Sequence, residues 1–70
     1  MVEVFKTNVE RQQESEILAQ ILLAHYPAAR ITFDLEDHDR VLRVEEHDLC
    51  AEKIMGLVTK YGYQCEVLPE

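Results

Sequence analysis

An α+β two-layer sandwich, with a four-stranded antiparallel sheet carrying two helices on one face, is the fold class the sequence predicts. Three observations predict it. Apolar residues recur with period two, then with the roughly 3.6-residue period of a helix, and this alternation of patterns runs twice through the chain. Pro27 and Gly62 stand where the two helical patterns stop. The chain has 70 residues with 47% hydrophobic content, which suffices for one small packed core and disfavours disorder.

Residues 2–7 alternate and read as a first strand. Thr7-Asn8-Val9-Glu10 reads as the turn into a helix, with Thr7 as the cap and Glu10 completing a capping box. From Glu10 to Tyr26 no Gly or Pro interrupts a run rich in good helix formers. Leu18, Ile21, Leu22 and His25 form its stripe, widened by Ile17 and Ala24, and Pro27 ends it. Arg30 to Leu35 alternates strictly, with Ile31, Phe33 and Leu35 on one side. Glu36 to Arg40 is a polar turn. Val41 to Glu45 is a further strand with Leu42 and Val44 inward, so the pair predicts a hairpin.

Asp48 then offers an N-cap and Glu52 a favourable charge near the positive end of the helix dipole. Cys50, Ile54, Leu57, Val58 and Tyr61 share one helical face. Lys60 falls in the last turn, and Gly62 can close the helix in a left-handed conformation. Tyr63, Cys65 and Val67 alternate with Gln64, Glu66 and Leu68 as a last strand, ended by Pro69. The order strand, helix, strand, strand, helix, strand makes two split βαβ units, which is the ferredoxin-like βαββαβ sandwich. One domain over 1–70 is expected, with spatial strand order fourth, first, third, second. The loop Thr7–Arg11, the turn Glu36–Arg40 and Tyr61–Tyr63 belong at one end. His25–Ala29, Glu45–Asp48 with Cys50, and both termini belong at the other.

A formal net charge of −7, from 14 acidic and 7 basic residues, argues against a nucleic-acid surface and against an anionic membrane face. No apolar run approaches the ~20 residues of a membrane span, and the first residues do not read as a signal peptide. Two cysteines, far apart, fit a reducing compartment, so a cytoplasmic location is expected.

Phe33-Asp34-Leu35 through Val44, the helix stripe of Ile54 and Val58, the Gly62-Tyr63 pair, and Cys65-Glu66-Val67 together resemble the heavy-metal-associated domains, the small copper-chaperone-like modules. Pro27 matches the Pro-Gly after that family's first helix, with Ala28 in place of the glycine. The resemblance covers nearly the whole chain. It implies a metal loop between the first strand and first helix, where the family carries Met-Thr-Cys-x-x-Cys and two thiolates hold a soft ion. Aligned on Thr7, that loop is Lys6-Thr7-Asn8-Val9-Glu10-Arg11. Asn8 and Arg11 replace the cysteines, so no metal is expected there, and the first helix reads about one turn longer than the family's.

Other candidate residues have simpler readings beside them. Cys50 near a helix N-terminus could be a reactive thiol; its simpler reading is the first core position of the helix. Cys65 reads as core, and a Cys50–Cys65 disulfide is disfavoured by their placement at opposite ends. His25, His47 and Cys50, at one end, are the alternative metal site, for a Zn or Cu ion. Asp37-His38-Asp39 reads as a polar turn. Tyr61 and Tyr63 read as partly core or as a small aromatic surface. No nucleophile–base arrangement or phosphate loop appears, and Arg11 alone is a weak match to the acylphosphatases of the same topology. The exposed strand aromatics of RNA-recognition motifs are missing.

The first expectation is therefore a non-enzymatic module without cofactor. It would contact a protein partner, or a second copy as a homodimer, through the open sheet face or a strand edge. Phe5, Val41 and Leu68 are expected on that face. A metal carrier using His25, His47 and Cys50 is the alternative, and a small acylphosphatase-type enzyme is third.

Overall fold

The computed structural model describes residues 1–69. The elements are β1 (Val2–Thr7), α1 (Gln12–His25), β2 (Arg30–Asp34), β3 (Val41–Glu45), α2 (Ala51–Lys60) and β4 (Cys65–Val67). The four strands form one antiparallel sheet in the order β2-β3-β1-β4. This is the ferredoxin-like α+β sandwich, with the strand order expected from the sequence.

One face of the sheet is buried against the helices. Phe5, Leu42, Val44 and Cys65 from the strands meet Leu22 of α1 and Ile54 and Val58 of α2 in a single cluster. Leu18 and the loop residue Val9 are also buried. Among the described residues, no element covers the other face. Register places Val4, Arg43 and Thr32 in one row across it, with Val2, Glu45 and Arg30 in the next. Val2, Val4, Val41 and Leu68 are each half-buried there.

That register corrects one expectation. Phe5 is not on the open face; it is 0% exposed and lies opposite Leu42 on one side and Val67 on the other. Strand β1 offers two alternating sets, Val2 and Val4 or Phe5 and Thr7. The set with the aromatic ring buries more apolar area, and it takes the core.

Both helices begin later than the sequence suggests. Thr7 does not cap α1. The N-cap is Arg11, and Glu14 Oε1 accepts a 3.2 Å hydrogen bond from the Arg11 N–H. The cause lies in Val9, whose complete burial pulls the chain inward before the helix can start. Asp48 likewise does not cap α2. Leu49 packs against the core first, and the N-cap position falls to Cys50, with φ −113° and ψ 107°. Cys50 is consequently exposed and is not the first core residue of the helix. Ile17, on the widened stripe of α1, is also exposed.

The end of α2 follows the sequence closely. Gly62 takes φ +94°, the Gly62 N–H donates to Thr59 O at 3.0 Å, and the Tyr63 N–H reaches Val58 O at 3.4 Å. This is the paired closure that satisfies the last helical carbonyls. Strand β4 is shorter than the alternation of Tyr63 to Leu68 suggests, because the N–H of Gln64 bonds to a side chain before the ladder begins. Leu68 N–H still donates to Val4 O at 2.8 Å beyond the strand. Strand β2 ends at Asp34, one residue short of Leu35.

Candidate functional site

The loop Lys6–Arg11 sits at one end of the sandwich, against the β2–β3 turn and the start of β4. Thr7 anchors it. Its backbone N–H donates to Asp39 O at 3.0 Å. Its hydroxyl donates to Arg40 O at 2.6 Å and accepts from Val9 N–H at 3.2 Å. The residue is nearly buried, so both bonds lie in a low-dielectric setting where an unmade bond is expensive.

Asn8 Oδ1 accepts from the Gln64 N–H at 2.8 Å, which ties the loop to the chain entering β4. Arg11 is exposed and frames the helix with its backbone. A carboxylate–phenol pair closes the cluster: Tyr63 Oη donates to Glu14 Oε2 at 3.0 Å. Lys6 and Asp39 approach to 3.9 Å, both partly exposed, so this pair adds little. The depression between Lys6, Thr7, Gln64 and Glu66 has a volume of about 100 Å³. That is below the ~300 Å³ at which small-molecule sites begin.

The bond from Tyr63 holds the Glu14 carboxyl below its ordinary value of 4.5, with the Arg11 N–H adding to it. The same bond, with burial, pushes the Tyr63 phenol above 10.0. Glu14 is depressed in the fold, so its contribution is complete above 4.5 and is lost as pH falls through the folded value. Tyr63 is raised, so its contribution is complete below 10.0 and is lost as pH rises through the folded value. Tyr63→Phe should therefore move the Glu14 carboxyl back up toward 4.5. Carbon-detected NMR titration of Glu14 reads this, and an unmoved midpoint would refute the pairing.

At the opposite end, His25 lies in the last turn of α1, and His47 in the link before α2. Both are exposed, as is Cys50. The His47 N–H donates to Glu46 Oε1 at 2.8 Å. Among the described residues, no three His, Cys, Asp or Glu side chains gather to hold a metal ion. His25, His47 and Cys50 thus share an end of the domain without forming a ligand set.

The organised group at that end is Tyr26, which sequence reasoning did not single out. It is half-buried against the core, and Lys53 Nζ stands 5.6 Å from its ring centroid, a cation–π contact. Burial pushes its phenol up, and Cys50 and Glu46 add to the rise. Its signal was its position, one residue before Pro27, where an aromatic ring closes the helix end. At the same end a broad, open depression of about 510 Å³ is lined by Met1, Arg30, Glu45 and His47 among others.

Cys65 is buried, and burial pushes its thiol up to about 12, which leaves it protonated and inert. The two cysteines are both free. Asp37 makes a local turn, its Oδ1 accepting from Asp39 N–H at 2.8 Å. Tyr61 is exposed while Tyr63 packs on the core, so the two tyrosines do not form one surface. Among the described residues, no helix is long and apolar enough to cross a membrane. No protein-family model, curated protein or solved structure matches the chain.

Proposed function

We propose that this chain is a non-enzymatic protein-interaction module, built on a scaffold like that of the heavy-metal-associated domains but lacking their cysteine pair. The observation that carries the reading is the uncovered sheet face. Val2, Val4, Val41 and Leu68 are half-buried there beside Lys6, Arg43, Glu45 and Glu66. Aliphatic positions interleaved with both signs of charge suit a partner of matching pattern and exclude indiscriminate association.

The loop that would carry metal in relatives supports the same reading. Asn8 holds the entry to β4 and Thr7 holds the β2–β3 turn. These side chains perform structural work in place of ligation.

A photo-cross-linking residue in place of Arg43, in the centre of the open face, tests this in cells. Discrete protein adducts are expected from that position and none from a matching replacement of Glu52 on α2. Absence of adducts at Arg43, or tight stoichiometric Zn(II) or Cu(I) binding by the reduced protein, would sink the reading.

A further inference from the structure

The two edges of the sheet differ. Strand β4 is three residues long and is followed by Pro69, so that edge is short and blunted. Strand β2 is five residues long and pairs one-to-one with β3, from Arg30↔Glu45 to Asp34↔Val41, without a bulge. It contains no proline and no inward charge. Its outer backbone groups have no hydrogen-bond partner among the described residues.

The side chains of this edge are self-complementary. Arg30-Ile31-Thr32-Phe33-Asp34 reads as plus, apolar, neutral, apolar, minus about Thr32. Glu45 stands opposite Arg30 across the ladder, yet the one ion pair among the described residues joins Lys6 and Asp39. Arg30 and Asp34 are exposed and have no ion-pair partner among the described residues. Ile31 and Phe33, on the helix side of the same edge, remain only half-buried.

We propose that β2 pairs antiparallel with β2 of a second copy, centred on Thr32, to give a continuous eight-stranded sheet. The two-fold axis passes between the two Thr32 residues. Arg30 then faces the partner's Asp34, and Asp34 faces the partner's Arg30. On the other side Ile31 faces the partner's Phe33. Directly opposed residues sit with Cβ atoms about 5 Å apart, within reach of an ion pair. One patch serves both copies, as two-fold symmetry requires. The neighbouring registers fit less well. Centring on Ile31 sets Asp34 opposite Ala28, and centring on Phe33 sets it opposite Thr32. The backbone ladder supplies affinity and the charges select the register. This proposal rests on the interaction reading above and adds a contact to it, along the β2 edge, that leaves the open sheet face uncovered.

Sedimentation equilibrium on the whole chain and three variants tests it. The wild-type chain is expected to dimerise. Arg30→Asp sets carboxylate against carboxylate twice, and Asp34→Arg sets cation against cation twice. Each should raise the dimer dissociation constant about tenfold or more at low salt, because symmetry doubles every lost pair. An equimolar mixture of R30D and D34R should recover the dimer as a heterodimer, since the introduced charges are mutually complementary. The double variant R30D/D34R should recover it alone. Both positions are exposed, and circular dichroism checks that each variant folds. A wild-type monomer at millimolar concentration, single variants that dimerise like wild type, or a mixture that stays monomeric would each overturn the proposal. A wild-type monomer that still gives Arg43 cross-links to another protein overturns the dimer and leaves the interaction reading standing. A monomer without cross-links removes both.

Discussion

Phe5→Ala is expected to remove about half of the stability of the fold. Phe5 is 0% exposed and stands first among the fully buried side chains by volume. Truncating such a ring costs about 3–5 kcal/mol, through lost transfer energy and the cavity left behind. A chain of this size has roughly 4–10 kcal/mol of total stability, so the loss takes a large fraction of it. The neighbouring control is Val4→Ala, on the half-buried open face, with an expected cost of about 1 kcal/mol or less. Urea denaturation of the two variants ranks them. A larger loss from V4A than from F5A would mean that β1 has the opposite face inward.

The second large effect belongs to Thr7. Replacing it by valine keeps the shape and removes the hydroxyl that serves Arg40 O and the Val9 N–H. Two polar groups of the backbone then lose their partner, and one of them, the Val9 amide, lies in the core. The expected cost is about 1–3 kcal/mol. Arg40 depends on the same bond. Its φ of +46° is unusual for a residue other than glycine, and the turn is held by the Thr7 hydroxyl and by Arg40 Nη1 on Leu35 O at 2.8 Å. Thr7→Ser keeps the hydroxyl and should cost only about 1 kcal/mol, for one buried methyl. Hydrogen exchange gives a local readout: the Val9 amide should exchange faster in T7V and not in T7S. Equal exchange in both would show that the hydroxyl is not the anchor.

Element order, strand order and the Gly62 closure were legible in the sequence, because periodicity and glycine chemistry act locally. The faces of β2 and β3 were legible too, since Ile31, Phe33, Leu42 and Val44 alternate with polar residues. The face of β1 was not. Val2, Val4 and Phe5 make both of its sides apolar, and only the register with β3 and β4 decides between them. Helix starts were not legible, for a related reason. Thr7 and Asp48 have suitable side chains, but the burial of Val9 and Leu49 delays each helix, and burial is a tertiary fact. That the loop Lys6–Arg11 holds no cysteine was visible in the sequence. That Asn8 grips Gln64 across 56 positions was not, because an asparagine's partner depends on what the fold brings near it. The charge symmetry of β2 was likewise present in the sequence but gained meaning only once β2 lay at an edge.

Strand β1 pairs with β4 through Phe5↔Val67, so an early strand must meet the latest one before the sheet is complete. On a translating ribosome the elements emerge in order. Once residues up to Glu45 are clear of the ribosome, β1, β3 and β2 can form a three-stranded sheet with α1. Its β1 rim then lies bare, and Phe5 awaits the Ile54 and Val58 that will cover it. Such a partly built sheet is the form of this chain most prone to aggregate and most in need of a chaperone. Truncation between α2 and β4 leaves the β1 rim bare even with α2 in place, so loss of the last strand is expected to cost solubility more than its three residues suggest.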